Sequence, residues 1–164
     1  MGIATDIVRA WRHPKAAMAR QMQDGVREEK AFFFLMLGCL LIFVAQMPRL
    51  WREAMMDPSV PFEARLGGAM LGWLFLVPLA FYAIASLGRI GGMVFGGQGS
   101  WYGARLAMFW AVLVSAPLWL INGAVAGLVG QGALMAITGV VAVVMFAVVW
   151  FASLSVAEKG STIS

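Results

Sequence analysis

"LAMFWAVLVSAPLWLINGAVAGLVGQGALMAITGVVAVVMFAVVWFASLSVA", Leu106 to Ala157, runs for 52 residues without a charge. A helix needs about 20 residues to cross about 30 Å of hydrocarbon. The stretch therefore holds two spans and a short turn, but hardly three. "GAVAGLVGQG" reads as the turn, with one span from about Ala104 to Asn122 and the next from Ala133 to about Ser155.

Outward from this stretch, charges are also missing from 90–104, 66–88 and 31–48. Apolar residues make up 62% of the chain and charged residues 12%, against about 45–50% and about 25% in soluble domains. A soluble fold of 164 residues has too little interior for that much apolar surface. A second span is predicted from Leu66 to about Gly88, and a first from Phe32 to Met47, with Pro48 and Leu50 extending it at the interface. The fold class is an all-α integral membrane protein with four transmembrane helices and an amphipathic N-terminal segment. Its parts are a basic segment at 1–30, a four-span domain at 31–156 and a short polar tail at 157–164. The first apolar run reads as an uncleaved span, since thirty polar-rich residues precede it and no small-x-small site follows.

In the N-terminal segment Ile3, Ile7, Trp11, Pro14, Met18 and Met22 share one stripe at helical spacing, opposite Arg9, Arg12, Arg20 and Gln23. Pro14 fits the first turn of a helix, where its missing N–H leaves nothing unpaired, and it pushes His13 toward extended backbone. The layout expected is a short helix, a break at His13 and a second helix from Pro14 to about Asp24. Two readings stay open. The segment lies on an anionic leaflet, with Arg9, Trp11, Arg12, Lys15 and Arg20 on headgroups, or it docks on the protein's own spans.

Between the first two spans, Arg49 to Arg65 reads as a connector with turn signals at Asp57-Pro58 and a helix start at Pro61. Nine Lys and Arg then lie on the side of the N-terminal segment and three on the other. That asymmetry places both termini in the cytoplasm, and nine Arg among the twelve basic residues suggest a GC-rich bacterial genome and hence a bacterial inner membrane.

"GGQGSWYGARLAMFW", Gly96 to Trp110, raises the question of a phosphate-cradling loop. A dinucleotide fingerprint needs G-x-G-x-x-G between a strand and a helix. Gly97 and Gly99 fit, but Tyr102 occupies the third position and the preceding segment is a span. The glycines read instead as a turn at the cytoplasmic face. No catalytic set is evident, because the lone His13 has no carboxylate pair or thiol at a defined spacing. Metal sites need clustered His, Cys or acid ligands, and Cys39 is the one cysteine. The reading is a non-enzymatic protein without cofactor or metal and without a nucleic-acid partner.

Gly68-x-x-x-Gly72, Gly88-x-x-x-Gly92 and Gly123-x-x-x-Gly127 each set small residues one turn apart. Such pairs allow helices to approach closely, within one chain or between chains. Pro78 and Pro117 sit inside two successive spans and read as kinks that shape the bundle. Gln46, Ser86, Ser115, Asn122 and Thr138 supply the polar groups of the spans.

"RHPKAAMARQMQDG" leading into the first span, followed later by "GGQGSWYGARLAMFWAVLVSAP", resembles the Yip family (Ypt/Rab-interacting proteins), especially short bacterial members. The resemblance covers roughly residues 12–155. It implies a helical multispanning domain with a cytoplasmic N-terminus. The D-L-Y-G-P motif and fifth span of the eukaryotic relatives are missing here, so their GTPase-binding role is not carried over. The expected function is a membrane-organising scaffold or an accessory subunit of a membrane complex. Its partners would be the bilayer, with anionic lipid at the N-terminal segment, and a membrane protein or a second copy. The alternative is a small-solute channel or transporter using the two proline-bearing spans.

Overall fold

The computed structural model describes residues 2–159. All regular structure among them is helical: α1 (Ile3–Arg12), α2 (Pro14–Met22), α3 (Glu28–Met56), α4 (Phe62–Leu71), α5 (Val77–Val94), α6 (Trp101–Leu128) and α7 (Ala133–Glu158). A π-helical segment at Gly72–Leu76 joins α4 to α5 without a break. Four helices are long and apolar enough to cross a membrane: Glu28–Met56, Phe62–Val94, Trp101–Leu128 and Ala133–Glu158. The chain is an all-α, multi-pass membrane protein.

Helix α6 forms the core. Its residues Leu106 to Ala116 are all buried, including Phe109 and Trp110 at 0% exposure. The register of its neighbours follows from where glycines meet backbone. Gly38 of α3 faces Val112 and Leu113, Gly123 faces Ala45, and Gly127 faces Pro48, so α3 and α6 run parallel. Gly103 lies against Ala157 and Gly139 against Asn122, so α6 and α7 are antiparallel. Helix α5 runs parallel to α7, with Phe81 near Phe146 and Gly88 against Trp150. One end of the bundle, the near end, holds Glu28, Arg89, Arg105 and Glu158; the far end holds Arg49, Arg52, Glu53 and Arg65.

Three sequence expectations shift. The helix of the first span runs beyond the expected extension at Pro48 and Leu50, because α3 continues to Met56. A proline inside a helix removes one backbone hydrogen bond and crowds the preceding turn. Here Pro48 is held against Gly127, and one turn later Arg52 Nη1 donates to the Gly127 carbonyl at 3.2 Å. The α3–α6 contact thus carries the helix past the break. The second span does not end at Gly88 either; α5 reaches Val94, which puts Arg89 inside a helix. The last helix runs to Glu158, so the predicted polar tail begins as helix. The tail residues 160–164 lie outside the described residues.

Pro78 acts as more than a kink. It has no N–H for the carbonyl of Leu74, four residues back. Leu74 lies within the π-helical segment, where the Val77 N–H reaches the Gly72 carbonyl five residues back. Widening the turn by one residue relieves the crowding that the ring would cause in an α-helix. Pro117 sits inside an unbroken α6.

Candidate functional site

Two assemblies at the near end carry the polar chemistry. The first is the N-terminal helix pair. The break is where the sequence places it: α1 ends at Arg12, His13 takes φ −137°, and Pro14 opens α2. Of the apolar stripe, Ile7 and Met18 are buried together with the neighbouring Ala10 and Ala17; Trp11, Pro14 and Met22 are partly buried, and Ile3 stays exposed. Trp11 corrects the expectation of a headgroup contact: its indole Nε1 donates to the Val114 carbonyl at 2.9 Å. That carbonyl lies thirteen residues into α6, about 20 Å from the helix start, and three residues before Pro117, where the proline disturbs the helical ladder. The segment therefore docks on the protein's own spans.

Docking leaves Arg12, Lys15 and Arg20 exposed, while Arg9 is half-buried and lies 3.8 Å from Asp6. Lys30 Nζ ties the end of α2 to α3, donating to the Gln21 carbonyl at 3.2 Å and to Asp24 Oδ2 at 2.5 Å. The hydrogen bond from Lys30 holds the Asp24 carboxyl below the usual aspartate range. Trp11→Phe keeps the ring and removes the donor. It is expected to loosen the pair by about 1 kcal/mol, read as faster hydrogen exchange across residues 3–22. Unchanged exchange would show that the indole bond does not hold the pair.

The second assembly is a clasp between Arg89 and Glu158. Arg89 Nη1 meets Glu158 Oε2 at 2.6 Å, with side-chain exposures of 11% and 12%. Arg89 Nε and Glu158 Oε1 are buried without a hydrogen-bond partner among the described residues. The glycine-rich turn wraps this carboxylate. Gly99 N donates to Glu158 Oε2 at 3.3 Å, and Gln98 N donates to the Glu158 carbonyl at 3.0 Å. A Cβ on Gly97 would collide with the Glu158 carboxylate, one on Gly99 with the Ala157 carbonyl, and one on Gly92 would stand 2.5 Å from Glu158 Cδ. Only Gly96 in this turn has positive φ, at +79°. The neighbouring glycines are needed for close approach rather than for turning. Ser100 then caps α6, its hydroxyl accepting from Gly103 N at 2.9 Å. Arg105, expected to mark the cytoplasmic side, pairs with Glu28 across the same end.

The sequence reading missed this clasp. Its signal is that Arg89 alone interrupts the charge-free run from Leu66 to Ala104, and Glu158 ends the next one. A lone arginine in an apolar helix calls for an acid at the same depth. The 69-residue separation hides the pairing.

The three glycine pairs diverge. Gly123 and Gly127 pack on the α3 backbone, and Gly88 and Gly92 on Trp150 and Glu158 of α7. Gly68 and Gly72 have open space around them, so they pack on no other part of the described chain. Ser86 and Ser115 bond to carbonyls of their own helices, Tyr82 and Val112, while Asn122 Nδ2 crosses from α6 to the Met135 carbonyl and Thr138 Oγ1 of α7. No group of three or more metal-ligating side chains is found among the described residues. Comparisons with protein-family models, curated proteins and solved structures found no match.

Proposed function

We propose that this chain is a non-enzymatic scaffold or accessory subunit of a bacterial inner membrane, with both termini cytoplasmic and a basic N-terminal helix pair that contacts anionic lipid. The observation that carries this reading is the docked pair: its apolar stripe is consumed by α6 and α7, and Arg12, Lys15 and Arg20 remain exposed. The resemblance to the Yip family, as a helical multispanning protein with a cytoplasmic N-terminus, supports the same reading. So does the bonding of Asn122 across to α7, which spends its amide donor on packing rather than on a solute path. The second and fourth spans bury only 11% of their most apolar windows within the chain. That leaves broad faces, Gly68 and Gly72 among them, for a membrane-protein partner or a second copy.

In nanodiscs, phosphatidylglycerol is expected to slow hydrogen exchange across residues 3–22 of the full chain, and Arg12→Glu, Lys15→Glu and Arg20→Glu together to abolish the effect. Each surface-bound basic residue contributes about 1 kcal/mol. Exchange indifferent to anionic lipid in the parent chain would sink the lipid role. Extraction in mild detergent should recover a stoichiometric membrane-protein partner. A lone homo-oligomer that conducts a solute would favour the channel instead.

A further inference from the structure

The far end of the bundle carries a feature that neither the scaffold reading nor the packing uses. Two adjoining hollows of about 380 Å³ and 500 Å³ share Arg49, Gln131 and Met135. The smaller opens among Arg49, Arg52, Glu53 and Gln131, where α3 and α6 end. The larger continues along α7 past Trp119 and Ala136 to Gly139. From the start of α7 at Gly132 to Gly139 is about 10 Å of helix rise. The cleft is thus charged and polar at its mouth and mostly apolar along its length, with Asn122 beside Gly139 bonded to the Met135 carbonyl and Thr138 Oγ1.

The charge at the mouth is unbalanced. Arg49 pairs with Glu53 at 2.7 Å, and Glu53 also lies 3.8 Å from Arg65. Arg52 has no carboxylate partner among the described residues. It gives one donor to the Gly127 carbonyl and lies against Gly130, whose φ of +91° lets the turn pass beneath the guanidinium. A guanidinium has five donors in a fork that matches phosphate oxygens, so one bond to Gly127 leaves capacity for an anion. The uncapped first turn of α7, opening at Gly132, adds peptide N–H groups on the same side.

We infer that this cleft is a phospholipid site: the phosphate diester sits between Arg49 and Arg52, and an acyl chain follows the trough over Ala136 and Gly139. The shared chemistry is a phosphate anion. The apolar trough matters only to an anion with a tail, which selects a lipid over free phosphate. The inference does not depend on which side of the membrane this end faces.

Native mass spectrometry of the detergent-purified full chain, titrated with phosphatidylglycerol, tests it. One lipid is expected to bind more tightly than the rest. Arg52→Gln should weaken it about tenfold or more. Arg52 also caps α6, so Ala136→Phe is the second arm: it fills the trough, touches no charge and replaces an exposed residue. It too should displace the lipid, with the melting temperature unchanged. Affinity unaffected by Ala136→Phe, or a bound lipid fully competed off by inorganic phosphate, would overturn the inference.

Discussion

Glu158→Gln is expected to destabilise the bundle by about 3–5 kcal/mol, the cost of leaving a buried guanidinium with a neutral partner. Arg89 is 9% exposed as a residue, and its carboxylate partner is held by the glycine turn as well as by the ion pair. The surroundings are close-packed, because even a Cβ on Gly92, Gly97 or Gly99 would collide with Glu158 or Ala157 of α7. Arg89→Met combined with Glu158→Met removes both charges and fills similar volume. That pair should return to within about 1–2 kcal/mol of the parent, since a buried ion pair replaced by apolar side chains is often neutral. Thermal unfolding in detergent, followed by tryptophan fluorescence, supplies the full double-mutant cycle. If the single variant melts like the parent, the clasp is decorative.

The second large effect belongs to the α3–α6 seam. Gly123→Val places a branched side chain where a Cβ alone would already strike the Ala45 carbonyl. Backbone cannot yield as a flexible side chain can, so the two helices must separate along their length. We expect a loss of about 3 kcal/mol or more, measured by the same unfolding assay. Gly68→Val has the same chemistry and spacing, yet nothing stands within 4 Å of it, so little beyond helix propensity should change in the monomer. If the two variants behaved alike, the parallel packing of α3 on α6 would be wrong.

That contrast shows what the sequence carries and what it hides. Gly68-x-x-x-Gly72 and Gly123-x-x-x-Gly127 are indistinguishable as patterns, because spacing reports that two residues share a face but not what the face meets. The four spans were legible because hydrocarbon thickness sets their length and excludes charge. The break at His13 and the helix start beside Pro61 were legible because proline acts locally, through its own ring and missing donor. The length of α3 beyond Pro48 and Leu50 was not legible: the proline's cost is real, but α6 supplies a glycine and a carbonyl that keep α3 going. The Arg89–Glu158 clasp and the Trp11–Val114 bond escaped because each joins distant parts of the chain. The glycine turn was placed correctly between two spans, but for an incomplete reason. It turns the chain once, at Gly96, and otherwise makes room for a carboxylate.

The docking of the N-terminal pair sets an order of assembly. Residues 3–22 leave the ribosome well before α6 and α7, the helices they pack against. Trp11 waits for Val114 across a separation of 103 residues. Until α6 and α7 are inserted, the buried side chains Ile7, Ala10 and Met18 have no protein surface to cover them. The nascent chain must park those side chains on the leaflet or on a chaperone during synthesis. The helix pair, made before its partners, therefore finds its place only after them, and its docking reports that α6 and α7 have been threaded into the membrane.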